Sequence, residues 1–110
     1  MLLFALLLAA CSHEPDADLA TIGNARSLAA EWALINEQSA KGQLTQTYTD
    51  TMREQLRQQL RSSASSLTRP DSRYSIEIQT LLHEPDNAAP EELRSHVAVL
   101  KHIEDGLESA

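Results

Sequence analysis

From residue 19 onward the apolar residues recur at every third or fourth position, in four runs broken at Lys41-Gly42, at Pro70 and between Pro85 and Pro90. That spacing is the period of an amphipathic helix, and it leaves a chain of this length few other ways to bury its apolar side chains. The first run, LATIGNARSLAAEWALINEQSAKG, puts Thr21, Ala25, Leu28, Trp32 and Ile35 on one face, with Ile22, Ala29 and Ala33 widening the stripe. Asp16 or Asp18 can cap its start, and Lys41 followed by Gly42 reads as its last turn and C′ glycine. Gly23 costs ~1 kcal/mol relative to Ala inside a helix, which makes Asn24 an alternative start. The second run is ambiguous, because Thr45, Thr47, Thr49 and Thr51 alternate as in a strand. Tyr48, Met52, Leu56, Leu60, Ala64 and Leu67, set among good helix formers, argue for one helix from about Thr45 to Leu67.

Pro70 stops that helix, and Asp71 or Ser72 can cap a short third one carrying Tyr74, Ile78 and Leu81 and ending before Pro85. In NAAPEEL, Pro90 suits a first helical position, and Glu91 and Glu92 fall in the first turn, where the helix dipole favours negative charge. Leu93, Val97, Leu100, Ile103 and Leu107 form the fourth stripe, with fraying expected after Gly106. The fold class expected is all-α: a small antiparallel bundle of about four helices, two long ones as a hairpin and a shorter pair packed on it.

The first ten residues, MLLFALLLAA, are wholly apolar. The run is too short for a membrane span, which needs about 20 residues, and it matches the apolar region of a signal peptide, about 7–15 residues closed by small ones. With the next residue it reads LAAC, Leu8 to Cys11, and this resembles the lipobox of bacterial lipoproteins. The resemblance implies cleavage before Cys11, a diacylglycerol on its thiol and often acylation of the new amino terminus. Two or three acyl chains anchor far more firmly than one. Residues 1–10 are then the signal peptide, 11–18 a lipidated tether and 19–110 the helical domain. No positive charge precedes the apolar run, so the signal is expected to be truncated at its start. Ser12, being other than Asp, goes in that class with the outer membrane facing the periplasm. NEQSAKGQLT and IEDGLESA also resemble stretches of small, uncharacterised envelope lipoproteins of proteobacteria. Fully extended, SHEPDAD reaches about 25 Å, which would keep the domain near the bilayer.

Composition narrows the partners. Sixteen acidic against nine basic side chains, a net charge of −7, argue against nucleic acid, whose phosphates need a concentrated positive face. A single cysteine excludes an internal disulfide and a cysteine-based metal site. His96 and His102, six apart, fall on different helix faces, and Glu92 with His96 reads as an ordinary i,i+4 pair. RSSASS lies within a helix rather than on a strained elbow, and a bundle this small leaves little room for a cleft between facing carboxylates. No catalytic residue, metal or cofactor is therefore expected. The patterned surface feature is Arg53, Arg57 and Arg61, spaced by four, which could grip an anion or a partner's carboxylates, stay solvated, or pair with acidic side chains such as Glu31 and Glu37.

These readings together describe a membrane-tethered helical lipoprotein of the bacterial cell envelope, acting by contact with an envelope protein as an interaction or structural module. The alternative is a carrier holding a lipid or other apolar ligand in the bundle interior. A small hydrolase ranks third.

Overall fold

The computed structural model describes residues 17–109, and within them four helices follow one another: α1 Leu19–Ala40, α2 Gln46–Ser66, α3 Arg73–Leu82 and α4 Pro90–Glu108. The expected signal segment, Cys11 and the tether up to residue 16 lie outside the described residues. At 19 residues α4 is nearly as long as α2, so only α3, at 10, is short.

Side-chain pairs fix the directions. Arg26 near the start of α1 meets Glu104 near the end of α4, and Glu37 near the end of α1 meets Arg94 near the start of α4. Asp18 binds Thr68 just beyond α2, whereas Asn36 binds Arg53 in its first half. Both α2 and α4 are therefore antiparallel to α1. Among the described residues α1 lies between them, the backbones of α2 and α4 do not come close, and α3 bridges the layer, packing on all three of the others. The bundle expected from the sequence is thus present: α1 and α2 form the antiparallel hairpin, and α1 is also the helix on which α4 packs.

The core runs along α1 as Ile22, Ala25, Leu28, Ala29, Trp32 and Ala33, and is completed by Leu56, Leu60, Tyr74, Ile78, Leu81, Leu93, Leu100 and Ile103. The α2 stripe departs from expectation: Tyr48 is 48% exposed and Thr49 is fully buried. A step of four residues overshoots a turn of 3.6 by about 40°, so five positions spaced strictly by four drift through about 160° and cannot share one face. The buried set Thr49, Leu56, Leu60 and Ser63 mixes sevens, fours and threes and stays on the core side. Thr49 satisfies its hydroxyl locally, donating to the Thr45 carbonyl at 2.9 Å. Its neighbour Thr45 caps α2 by accepting from the Tyr48 amide, and Ser72 caps α3 by accepting from Ser75.

α1 begins at Leu19 and runs straight through Gly23. A Cβ at residue 23 would lie 2.8 Å from Glu104 Oε2, the carboxylate that Arg26 holds at 2.8 Å through its other oxygen. The glycine admits that close approach of α4, which offsets its helix penalty. At the other end Gly42 takes φ 73° and its amide reaches back to the Ser39 carbonyl, the left-handed C′ ending that Lys41-Gly42 announces.

Candidate functional site

Three polar groupings tie the helices together, and the largest lies where the α3–α4 loop crosses the far end of α1. Asn36, 4% exposed, donates to the carbonyls of Asp86 and Ala88 at 3.1 and 2.8 Å and accepts from Arg53 Nε at 2.8 Å. Trp32 Nε1 donates to the same Asp86 carbonyl at 3.0 Å. Arg57 donates to the Leu82 and Glu84 carbonyls at 2.7 and 2.6 Å and to the Asp86 carboxylate at 3.0 Å, and its guanidinium lies 4.8 Å from the Trp32 ring centroid. An arginine of α2 thereby caps the carbonyl end of α3 while sitting in cation–π contact with the core tryptophan.

The Arg53, Arg57, Arg61 row is therefore divided. Arg53 and Arg57 are engaged within the molecule, with Asn36 and with the loop, while Arg61 is exposed and makes no ion pair among the described residues. Glu37, one of the acidic partners considered for the row, instead accepts from Arg94 at 2.8 Å, and the Arg94 guanidinium beside it holds its carboxyl below the usual value. Asn36, rather than the Ile35 expected on this face, is the buried residue here; it lies four residues after Trp32, on the stripe's own period.

His96 forms the second grouping. It is 8% exposed on the core face of α4, and its ring bridges two carboxylates: Nδ1 meets Glu77 Oε1 of α3 at 2.6 Å and Nε2 meets Glu84 Oε2 of the loop at 2.7 Å. The expected local pair with Glu92 gives way to this longer-range bridge, because the ring points into the α3–α4 seam. Burial favours the neutral ring, but Glu84 and Glu77 outweigh it and raise the pKa above its ordinary 6.5, since the imidazolium can donate to both. With both nitrogens taken, the ring is a cross-link. Among the described residues no group of three or more His, Cys, Asp or Glu is arranged to hold a metal ion.

A raised folded pKa fixes the sign of the pH dependence: the bridge's stabilisation is complete below 6.5 and is lost as pH rises through the higher folded value. His96→Gln should cost about 1–3 kcal/mol below that range and remove the slope above it, as read by urea denaturation across a pH series. Equal slopes for the two proteins would show that the bridge carries no proton-linked stability.

The third grouping is at the opposite end. Asp18, 1% exposed, accepts from the Thr68 amide at 3.0 Å, from the Thr68 hydroxyl at 3.0 Å and from the Tyr74 hydroxyl at 2.7 Å. It offers α1 no side-chain cap because its oxygens face the α2–α3 turn instead. Next to it is a partly open cleft of about 370 Å³ between the start of α3 and the end of α4. Tyr74, Ile103 and Leu107 supply its apolar wall, and Arg69, Arg73 and His102 its polar rim. A bundle this small offers little room for a cleft; this one exists because α3 is short and α4 runs on to Glu108 past the expected fray at Gly106, whose missing side chain leaves open space. Among the described residues no carboxylate lines it.

Compared with known proteins, the chain matches no family model, no curated protein and no solved structure.

Proposed function

We propose that the chain is a lipid-anchored helical module of the bacterial cell envelope that works by contact with another envelope protein. The observation that carries this reading is the sole cysteine, Cys11, placed directly after Leu8-Ala9-Ala10 at the end of an apolar run of signal-peptide length. No described helix is long and apolar enough to cross a membrane, so attachment through acyl chains is the route this reading requires. Confinement to a surface raises the effective concentration of any partner there, so weak contacts suffice.

Trp32, Ile22, Leu60, Ile78, Leu81, Leu93 and Leu100 are large side chains buried together in the interior. That packing favours the contact module over a carrier with its ligand between the helices.

The test is metabolic labelling of the full chain with a clickable fatty acid in a bacterial host, followed by crosslinking in the native envelope. Wild type should carry the label and fractionate with the outer membrane, and Cys11→Ser should lose both the label and most of the captured partner. An unlabelled chain, expressed with a basic segment added ahead of Met1 to complete the signal, would overturn the anchor. The same captured proteins with Cys11→Ser would overturn the local-concentration mechanism.

A further inference from the structure

The nine Lys and Arg side chains are not distributed as an acidic protein's solubilising charges would be. Arg26, Lys41, Arg57, Arg94 and Lys101 have carboxylate partners and Arg53 is held by Asn36. The three with neither an ion pair nor a side-chain hydrogen bond among the described residues are Arg61, Arg69 and Arg73, and two of these, Arg69 and Arg73, line the cleft. In a chain of net charge −7, two unneutralised guanidinium groups beside one apolar hollow stand out against an acidic surface. Asp71, in the same turn, is exposed and pairs with neither, while Asp105 of α4 is taken by Lys101.

We propose that this cleft takes the phosphate-bearing head of an anionic amphiphile, an acidic phospholipid, with the phosphate on Arg69 and Arg73 and the first carbons beyond it against Ile103, Leu107 and the Tyr74 ring. Arginine presents a planar fork of donors that matches phosphate oxygens in pairs. The wall below it is apolar, so the site is amphipathic in the sense its ligand is. A volume of about 370 Å³ lies at the small end of the usual ligand range of about 300–1,000 Å³, enough for a head and a few carbons, with the chains left in the bilayer.

The walls are fixed rather than induced. The Arg69 carbonyl accepts from the hydroxyls of Ser72 and Ser75, both at 2.7 Å, so the turn carrying Arg69 is bonded to the start of the helix carrying Arg73. Tyr74 is held from behind by Asp18 at 2.7 Å. Asp18 is also where the described chain begins its first helix, so the cleft lies at the end of the bundle from which the tether leaves. The anchored reading supplies only the nearness of a bilayer; recognition rests on the cleft, and the test leaves the anchor out.

The full chain carrying Cys11→Ser, purified without acylation, is titrated with dihexanoyl-phosphatidylglycerol, with dihexanoyl-phosphatidylcholine and with inorganic phosphate, each below any micelle concentration. Binding is read from the NMR signals of the His102 ring and from the thermal midpoint. The acidic lipid should bind about tenfold or more tightly than the zwitterionic one, and Arg69→Gln with Arg73→Gln should abolish that preference. Arg61→Gln, outside the cleft, should leave it unchanged. Gly106→Leu keeps every charge, replaces a helix-interior glycine by a good helix former and fills open space, so it should block binding without lowering the thermal midpoint. Equal affinity for the two lipids, or a preference that survives loss of both arginines, would overturn the proposal. Inorganic phosphate binding as tightly as the acidic lipid would replace it with a simple anion site. Whichever result is obtained, labelling at Cys11 is decided separately.

Discussion

Replacing Trp32 by alanine is expected to cost about 3–5 kcal/mol, the range for truncating a buried aromatic, out of a total that for a small domain is about 5–15 kcal/mol. The side chain is 2% exposed and is the largest in the core. Its loss would leave a cavity at the middle of the helix that all the others pack on. Two further contacts go with it: the Nε1 bond that helps pin Asp86 and the aromatic face under Arg57. Trp32→Phe separates these terms. It retains most of the packing, and the Asp86 carbonyl still accepts from Asn36, so the expected loss is about 1–2 kcal/mol. Urea denaturation followed by far-UV circular dichroism reads both variants without relying on tryptophan emission. A loss for Trp32→Ala no larger than for Trp32→Phe would mean that the ring's burial contributes little, contradicting the place assigned to it.

The helices and most of the core were legible because their signals are local. Period, caps and breakers act within one or two turns, so Thr45, Ser72, Pro90 and Gly42 sit within a residue of their expected positions. The polar cross-links were not legible, since each joins elements far apart in sequence. Arg57 and Arg53 fall on one helical row, but what they touch is decided by where the α3–α4 loop crosses α1, and no spacing along α2 encodes that. His96 presents the same problem more sharply, because its local neighbour Glu92 offers a plausible partner while Glu77 and Glu84 come from across the seam. Both Asn36 and His96 nevertheless occupy stripe positions of their helices, and a polar residue at a core position must be satisfied from somewhere. The cleft was invisible for a related reason: it is made by the unequal lengths of α3 and α4, and Arg69 and Arg73 acquire their meaning only from the apolar wall opposite.

Asp18→Ala is expected to cost about 2–4 kcal/mol, since it strips the acceptor from the Thr68 amide and hydroxyl and from the buried Tyr74 hydroxyl together. The residue joins the first turn of α1 to the α2–α3 turn and to α3, so its removal should also free the base of the tether; hydrogen exchange should rise first at the start of α1. The pH dependence carries the opposite sign to that of His96. Burial raises the Asp18 carboxyl, but the hydrogen bonds from Tyr74, Thr68 and the Arg69 amide outweigh it and hold the pKa below the ordinary 3.8. Stabilisation from a depressed carboxylate is complete above 3.8 and is lost as pH falls through the lower folded value. The gap in unfolding free energy between wild type and Asp18→Ala should therefore be constant at neutral pH and shrink below 3.8, whereas the gap for His96→Gln shrinks only on the alkaline side of 6.5. Tyr74→Phe serves as the control, because it removes one donor and leaves those from Thr68 and the Arg69 amide. Combined with Asp18→Ala it should add less than its single cost, as expected for partners in one bond. Full additivity of the two substitutions, or a wild-type advantage that persists unchanged well below 3.8, would mean that the carboxylate does not hold this end of the bundle together.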